Sequence, residues 1–406
     1  MEVYLGIDWS EAKHDACFVN AAGAALSRLT FPHSPAGLSQ LDAARAQLGV
    51  SAADCVTGLE TAHTLLIDHL WAHGYVRVYV VPPGAVKAAR PRFSASGART
   101  DQRDAYVLAD LVRTDRGRWA PWQPDGALTR QLRAQVTWRL QAMRAALGLS
   151  NQLRAVLLRY YPAALAVFSA LAQPLTLHFV LDYPTPAQAA ALGWEDFRAF
   201  ARRHGYPHPA RLAARFARLQ APQPAPEAAT VLAFAGVARE MARALLGQLD
   251  SQRTAERAVA ELFAQHPDRA LFASLPGAGA ALAPGLLVKF GDDRRRFPTA
   301  GAVQALAGTC PVTEQSGKHQ VVKFRRACDH DFRFIAQEWA RCSLKESPWA
   351  AAYWERVRPH CGSDNHATRC LANRWLAVAW AVWQAGRPYD EAYHLQQCAA
   401  RAKPRA

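Results

Sequence analysis

Apolar residues near the start of the chain fall into short runs of strand length and longer segments of helical spacing. The first two runs, at residues 3–8 and 15–19, flank a polar stretch, a pattern typical of a β-hairpin. In the segment 34–48 apolar residues recur every three to four positions, and Ser34 is a suitable N-cap. The predicted order is three strands, helix, strand, helix, strand and helix, at residues 3–8, 15–19, 25–31, 34–48, 55–60, 63–73, 76–81 and 101–113.

Further along, the pattern changes to long amphipathic stretches. Residues 128–160 and 227–265 each predict one long helix, and we expect the two to pair as a coiled coil that also serves oligomerisation. The proline-rich segment 220–226 predicts a stiff linker. Shorter helices are predicted at residues 280–288, 302–308, 330–346 and 366–386. The expected division is an α/β part, a helical coiled-coil part and a mostly helical C-terminal part, at residues 1–125, 126–266 and 267–406.

The bulk composition narrows the class of protein. The 406 residues are half apolar, which excludes a disordered chain and predicts more than one hydrophobic core. The 48 Lys and Arg residues outnumber the 33 Asp and Glu residues, so the net charge is +15. Such a charge predicts a polyanionic partner, most simply nucleic acid, although a generally basic protein remains the alternative. We expect a cytoplasmic protein without a membrane span, whose eight cysteines stay reduced.

Four carboxylates are the best candidates for chemistry. Asp8 and Glu60 each end an apolar run that predicts a buried strand, and Asp101 and Asp104 lie three residues apart where a helix begins. A carboxylate beside a core is costly unless it is neutralised, and a divalent metal does that. Metal ions held by such a set can cleave a phosphodiester. Alternatively each acid is structural, since first-turn acids also stabilise a helix by themselves.

Other acidic residues in the same part of the chain have less suitable positions in the predicted strands and helices. We therefore expect them to face solvent. They are Asp15, Asp54, Asp68 and Asp110.

Ser316 precedes Gly317 in a predicted extended turn region and is flanked by basic residues. A Ser-Gly pair in a loop is usually a turn, and a serine needs an activating base or a polarised target before it attacks. The basic residues are either a solvated face or contacts to a nucleic-acid backbone. They are Arg294, Arg295, Arg296, Lys318, Lys323, Arg325 and Arg326.

A cluster of possible metal ligands lies near the C-terminus. His360, Cys361, His366 and Cys370 include the residue types that bind zinc, but their spacing contains no Cys-x-x-Cys pair. We therefore expect a helix with buried thiols at this position.

The turn Leu275–Gly279, followed by a predicted helix, resembles a helix-hairpin-helix element. In such an element the turn amides can face a phosphate, and Gly277 and Gly279 are the candidates for this contact.

The N-terminal strand order resembles the ribonuclease-H-like fold, which includes the RuvC-type junction nucleases. That fold carries acids on its first strand, near the end of its fourth strand and on a late helix. The motifs as a set resemble the DEDD insertion-sequence transposases, a group that includes the pilin-gene inverting recombinases. The motifs are Gly6-Ile7-Asp8, Glu60, Arg99-Thr100-Asp101-x-x-Asp104-Ala105, Leu275-Pro276-Gly277-x-Gly279, Gly291-Asp292, Arg296-Phe297, Ala307-Gly308, Pro311 and Ser316-Gly317.

This resemblance implies an α/β RuvC-like N-terminal domain, a coiled-coil region and a C-terminal transposase domain. It implies that Asp8, Glu60, Asp101 and Asp104 bind Mg²⁺ and that Ser316 is a nucleophile that forms a covalent phosphoserine link to DNA. It also implies a structured bridge RNA as guide and a dimer or tetramer, in which the acids of one subunit complete the serine site of another. Arg99 joins the expected nucleic-acid contacts.

The sequence therefore predicts a DNA transposase that cuts and rejoins strands. Two alternatives remain. The first is a metal-dependent, RuvC-like structure-specific endonuclease that makes no covalent intermediate and does not need Ser316. The second is a nucleic-acid-binding protein without enzymatic activity, in which the acids are structural.

Overall fold

The computed structural model describes residues 2–62, 64–93, 100–168 and 170–402. The chain forms two compact units, at residues 1–125 and 126–406. The predicted division into three domains stays a prediction. Among the described residues, no helix combines the length and the apolar character needed to cross a membrane.

The first unit is a sheet with helices. Its elements are β1 (Val3–Trp9), β2 (Lys13–Val19), β3 (Ala25–Pro32), α1 (Pro35–Gln47), β4 (Cys55–Leu59), α2 (Leu65–Ala72), β5 (Val78–Val80), α3 (Pro83–Ala89) and α4 (Asp101–Thr114). The five strands lie in the order β3-β2-β1-β4-β5. Strands β1, β2 and β3 are antiparallel, whereas β1, β4 and β5 are parallel. This mixed sheet is consistent with the predicted ribonuclease-H-like fold.

The predicted strands and helices of this unit are confirmed, and Ser34 caps α1 by accepting a hydrogen bond from the Gly37 amide. Helix α3 was not predicted, because Pro82 and Pro83 were interpreted only as the end of a strand. Proline is also favoured in the first turn of a helix, since its fixed φ suits the helix and its missing N–H needs no partner there. The structure uses Pro83 in this way.

Glycines in two strands allow α4 to pack closely on the sheet. A Cβ atom added to Gly6 would lie 1.9 Å from the Ala105 carbonyl oxygen and 2.4 Å from the Ala109 nitrogen. A Cβ atom at Gly58 would lie 2.6 Å from a methyl carbon of Val112. Because these side chains are absent, the part of α4 that follows its first turn packs directly on β1 and β4.

Two acids that were expected to face solvent are buried instead. Asp15 is 4% exposed and accepts a hydrogen bond from the Thr30 hydroxyl, and Asp110 is 2% exposed and pairs with Arg113. The expectation was wrong for these two because it ignored partners that lie on other strands or one helical turn away. Asp54 and Asp68 are exposed as expected.

The second unit is mostly helical. Its first eight elements are α5 (Ala127–Tyr160), α6 (Ala163–Val167), α7 (Pro174–Asp182), α8 (Pro186–Ala190), α9 (Trp194–Arg203), α10 (Leu212–Gln220), α11 (Ala228–Gln265) and α12 (Arg269–Ala273). Its remaining elements are α13 (Gly279–Phe290), α14 (Ala300–Leu306), β6 (Val312–Ser316), β7 (His319–Lys323), α15 (His330–Ser343), α16 (Pro348–Val357), α17 (Asp364–Ala385) and α18 (Glu391–Ala402).

The predicted pairing of the two long helices is confirmed, since α5 and α11 pack against each other along their length. They belong to two separate cores. In the first core Leu153 of α5 and Ala242 of α11 pack with α6–α10. In the second, Leu132 of α5 and Val259 of α11 pack with α12–α17. The two helices are therefore antiparallel and join both cores, and a coiled coil in the strict sense stays a prediction.

Asp292, part of the Gly291-Asp292 motif, caps the N-terminus of α5. Its carboxylate accepts hydrogen bonds of 2.7 Å from the Gly126 amide and 2.7 Å from the Thr129 hydroxyl. The ring of His266 is bonded to the same hydroxyl at 2.8 Å. Partial burial acts to raise the pKa of Asp292, but the bonds from His266, Thr129 and Gly126 outweigh it and lower the pKa to about 2. This motif residue thus has a structural role.

Candidate active site

The four candidate carboxylates lie at one edge of the first unit. Strands β1 and β4 are parallel neighbours, and Ile7 pairs with Leu59. The residues that follow this pair are Asp8 in β1 and Glu60 directly after β4, and they therefore lie beside each other. The first turn of α4 supplies Asp101 and Asp104, with Thr100 as N-cap.

The charges of these acids act on one another. Partial burial raises the pKa of Asp8 to about 7, and the neighbouring carboxylates Asp104, Asp101 and Glu60 add to the increase. Burial also raises the pKa of Glu60, while Arg90 opposes the increase. Because salt screens such interactions beyond roughly 10 Å, the influence of Asp101, Asp104 and Glu60 on Asp8 indicates that the four acids lie close together.

Arg90 follows α3 and forms an ion pair with Asp104 that sequence reasoning missed. The guanidinium donates two hydrogen bonds of 2.8 Å, one to each oxygen of the carboxylate. Such a bidentate pair is strong and fixes the orientation of both groups. The signal that could have located Arg90 is Pro83, because a helix beginning there ends beside the acids.

The acidic cluster suits a divalent metal ion. Asp8, Glu60 and Asp104 are partly buried and Asp101 is exposed, so the set is open to solvent on one side. Carboxylate oxygens are the ligands that Mg²⁺ prefers, and a divalent cation relieves the repulsion that raises the pKa of Asp8. Arg90 supplies a single positive charge against four carboxylates. The residues present therefore fit the metal that the sequence predicted.

Ser316 lies in the second unit, at the tip of a hairpin. It is the last residue of β6 and pairs with His319, the first residue of β7. Gly317 occupies the turn between them with φ +57°, a conformation that favours glycine. Ser316 is exposed, and its hydroxyl makes no hydrogen bond to any part of the chain that the structure describes. Within that part of the chain, the structure thus shows no group already bonded to this hydroxyl that would activate it, and His319 is the pairing residue across the hairpin.

The arginines before the hairpin make internal contacts. Arg294 pairs with Asp268 at 2.7 Å and lies 4.7 Å from the ring centre of Trp383. Arg295 pairs with Asp293 at 3.0 Å. The guanidinium of Arg296 lies 5.3 Å from the ring centre of Phe297 in the core. The contacts of Arg294 with Asp268 and Trp383 thus give this arginine a structural role.

The basic residues near Ser316 in the sequence differ in whether they contact other parts of the chain. Lys323 pairs with Glu314 across the hairpin at 2.5 Å, and Arg325 donates to the Pro311 carbonyl. Lys318 and Arg326 are exposed. Arg99 lies outside the described residues. The predicted nucleic-acid contacts stay predictions, and Lys318 and Arg326 are exposed without an ion pair to another described residue.

The turn that resembles a helix-hairpin-helix element packs on α15. The Gly277 amide donates a 2.6 Å hydrogen bond to the Glu346 carboxylate. Trp339 donates to the Pro276 carbonyl at 2.9 Å. A Cβ atom at Gly277 would lie 2.4 Å from the Ser343 nitrogen, so glycine is required here for packing and for its φ of +75°. A phosphate at the Gly277 amide would first have to displace Glu346.

A mixed sheet of this order, with carboxylates gathered at one edge, is consistent with the ribonuclease-H-like class of nucleic-acid enzymes. Comparison with known families agrees. A family model of DEDD type, described as "Transposase", matches residues 5–162. A second model, described as "Transposase IS116/IS110/IS902 family", matches residues 269–355.

Individual relatives extend the match over nearly the whole chain. The chain is 31% identical over 400 residues to the "Mini-circle putative transposase for IS117" of Streptomyces coelicolor, covering 96% of each protein. It is 26% identical over 404 residues to the "Insertion element IS900 uncharacterized 42 kDa protein" of Mycobacterium paratuberculosis, covering 96% of this chain and 98% of the relative. It is 25% identical over 304 residues to the "Insertion element IS110 uncharacterized 43.6 kDa protein" of Streptomyces coelicolor, covering 72% of each.

The chain belongs to the IS110 family of transposases. The predicted DNA transposase is thereby confirmed as the class of enzyme. DEDD transposases typically use a divalent metal, which agrees with the acidic cluster at the edge of the sheet.

Proposed function

We propose that this transposase cuts and rejoins DNA with a Mg²⁺-binding site formed by Asp8, Glu60, Asp101 and Asp104 and with Ser316 as nucleophile. The observation that carries the proposal is the gathering of the four carboxylates: partial burial raises the pKa of Asp8 to about 7, and the other three acids add to the increase. Membership of the IS110 family supports it. Bound Mg²⁺ would neutralise charge on the scissile phosphate.

The chain's own residues have separate tasks. The acids hold the metal, and Arg90 orients Asp104 through its two hydrogen bonds. The Ser316 oxygen attacks phosphorus and its hydroxyl proton passes to solvent, a phosphoserine ester forms, and the bond to a deoxyribose oxygen breaks. That oxygen takes up a proton and leaves. Reversal of the step with a hydroxyl of another strand rejoins DNA without an external energy source.

We also propose that a bridge-type RNA guides the reaction and that the protein acts as a dimer or tetramer. The net charge of +15 supports a polyanionic partner. The exposed Lys318, two residues after Ser316, and the exposed Arg326, which follows the hairpin, are suited to contact a nucleic-acid backbone. Light scattering coupled to size-exclusion chromatography, with and without RNA transcribed from the element's non-coding end, tests both statements.

The central experiment compares Asp8→Asn and Ser316→Ala in a two-plasmid recombination assay. We expect both variants to lose recombinant product. With a nicked suicide substrate, wild-type protein should become covalently attached to DNA, whereas Ser316→Ala should not. A fully active Ser316→Ala variant would refute the serine role. DNA cleavage by Ser316→Ala without any adduct would instead favour the structure-specific endonuclease.

A further inference from the structure

Three potential metal ligands converge at the start of α17. Cys361 lies just before this helix, and His366 and Cys370 lie within it. Each residue offers one ligand atom, and these three atoms all lie within 4.8 Å of one another. The sequence did not predict a metal site here, because these residues contain no Cys-x-x-Cys pair.

The local backbone explains why the three side chains meet. His366 and Cys370 are four residues apart, so they lie on one face of the helix. Ser363 caps the helix by accepting a 3.2 Å hydrogen bond from the His366 amide. Arg358 donates a 3.2 Å hydrogen bond to the Cys361 carbonyl and also pairs with Asp364 in the first turn. The segment that carries Cys361 is thereby attached to the helix that carries the other two ligands.

We propose that Cys361, His366 and Cys370 bind a zinc ion, with a solvent molecule as fourth ligand. Two thiolates and one imidazole form a ligand set typical of tetrahedral zinc. With Zn–S bonds of about 2.3 Å, the two sulfurs of such a site lie about 3.8 Å apart. The three ligand atoms lie within 4.8 Å of one another, close to this spacing.

The protons and charges of the site balance. Burial raises the pKa of Cys370, and the adjacent Cys361 thiol adds to the increase. Zinc binding breaks two S–H bonds, forms two Zn–S bonds and releases two protons to solvent. The resulting complex of one Zn²⁺, two thiolates and a neutral imidazole carries no net charge. Arg369 favours the Cys370 thiolate further.

A second group of potential ligands provides a contrast. Asp42, His69 and His73 also lie close together. Asp42 already accepts hydrogen bonds from Tyr75 at 2.8 Å and from His69 at 3.0 Å, and His73 bonds to the His69 carbonyl at 2.9 Å. These hydrogen bonds explain why Asp42, His69 and His73 lie close together without a metal. The ring of His366, in contrast, has no hydrogen bond to another described residue, so its nitrogen is available to a metal.

The proposed zinc site would fix the beginning of α17. This helix contributes Trp375 and Trp383 to the larger core of the second unit, where it packs against α14, α15 and α16. A metal that joins Cys361 to the first two turns would hold the preceding segment against this core. The site shares no residue with the acids of the first unit, and the metal would act here by joining these two segments of the chain.

The test is metal analysis of full-length protein purified under a non-thiol reductant, before and after incubation with zinc and removal of excess. We expect one zinc per chain in the wild type, and background levels in Cys361→Ser and Cys370→Ser. The matched control is Cys342→Ser, an exposed cysteine of α15, which should keep the zinc. His360→Gln should also keep it, because the fourth ligand is solvent. Asp8→Asn should keep it as well.

Two further measurements guard against loss of zinc through misfolding. Cobalt-loaded wild type should show thiolate-to-metal charge-transfer bands. Removal of zinc from the wild type by a chelator should lower the midpoint of thermal unfolding, and added zinc should restore it. If reconstituted wild type holds no zinc, or if Cys361→Ser and Cys370→Ser hold as much as the control, the proposal is wrong. A Cys361–Cys370 disulfide that persists under reductant, seen by mass spectrometry, would equally overturn it.

Discussion

At the scale of single residues, the candidate active site is defined by an excess of negative charge. Asp8, Glu60, Asp101 and Asp104 act on one another, and Arg90 is placed to offset part of that charge through Asp104. An arrangement that raises the pKa of a carboxylate to about 7 destabilises the metal-free protein. Such a cost is common where function requires a cluster of like charges.

Replacing Arg90 should therefore increase the dependence of stability on metal. In Arg90→Gln, Asp104 loses its bidentate partner, and we expect the free energy of unfolding in chelator to fall by about 1–2 kcal/mol, because the pair is mostly buried. Added Mg²⁺ should recover more stability than in the wild type. Urea unfolding with and without Mg²⁺ measures both effects.

The control for this experiment is Arg118→Gln. Arg118 pairs with Asp115 at 3.2 Å, but its side chain is 78% exposed, so its loss should be nearly neutral. If Arg90→Gln behaves like Arg118→Gln in chelator and in Mg²⁺, Arg90 does not balance the acidic cluster.

Among single residues, the sequence predicted the acids better than their partners. Asp8 and Glu60 were found because each follows an apolar run, and Asp101 and Asp104 because they begin a helix. The burial of Asp15 was missed because its partner Thr30 is set by strand register, which no local pattern contains. Asp110 pairs with Arg113 one helical turn away, a spacing that is visible in the sequence.

At the scale of elements, the acids are held in place by how closely α4 approaches β1. The approach depends on Gly6, whose missing side chain leaves room for the backbone of α4. Long helices such as α5 and α11 were predictable because their periodicity extends over many turns. Helix α3 is short and begins after two prolines, and α16 and α18 were missed as well, because a few turns carry little periodic signal.

Gly6→Ala should separate α4 from the sheet. The added methyl group would lie 1.9 Å from a carbonyl oxygen, and backbone atoms cannot move aside cheaply. We expect a loss of about 3 kcal/mol in the free energy of unfolding and weaker binding of Mn²⁺, since Asp101 and Asp104 move with the helix. Urea unfolding and Mn²⁺ paramagnetic resonance measure these two effects.

Gly84→Ala is the matched control, because Gly84 lies in α3 with no heavy atom within 4 Å of its added Cβ. That change should be neutral or stabilise by about 0.5–1 kcal/mol, since alanine favours a helix. Equal losses in the two variants would contradict the packing argument.

The N-terminus of α5 offers a prediction about pH. Asp292 has a pKa of about 2 in the folded protein and about 3.9 in an unfolded chain. A lowered folded pKa contributes stability above about pH 4 that is lost as the pH falls towards 2. At pH 7 we expect Asp292→Ala to lower the free energy of unfolding by about 1–2 kcal/mol, typical of a lost cap. The difference from wild type should shrink below pH 4.

Urea unfolding at several pH values measures this difference. Asp250→Ala serves as the control, since Asp250 is an exposed acid on α11. A difference between wild type and Asp292→Ala that stays constant from pH 7 to pH 3 would show that the charge of Asp292 does not matter.

At the scale of the whole molecule, the two units differ in the kind of chemistry they offer. The first contains the acids, whereas the second contains Ser316 on an exposed hairpin, where its hydroxyl makes no hydrogen bond to another described residue. The sequence predicted both elements of the proposed chemistry, but it did not predict that α5 and α11 join two cores. That feature depends on residues 162–220, whose short helices carry weak periodicity.

The last prediction concerns the net charge of +15 and its use in binding nucleic acid. The logarithm of the affinity for duplex DNA should fall linearly with the logarithm of salt concentration, with a slope of about 0.9 per phosphate contact. If the exposed Lys318 and Arg326 each contact a DNA phosphate, replacing both by alanine should reduce the magnitude of this slope by roughly 2. Fluorescence anisotropy at several salt concentrations measures it. Lys345→Ala, an exposed lysine after α15, controls for general charge loss. An unchanged slope in the double variant would place the DNA elsewhere.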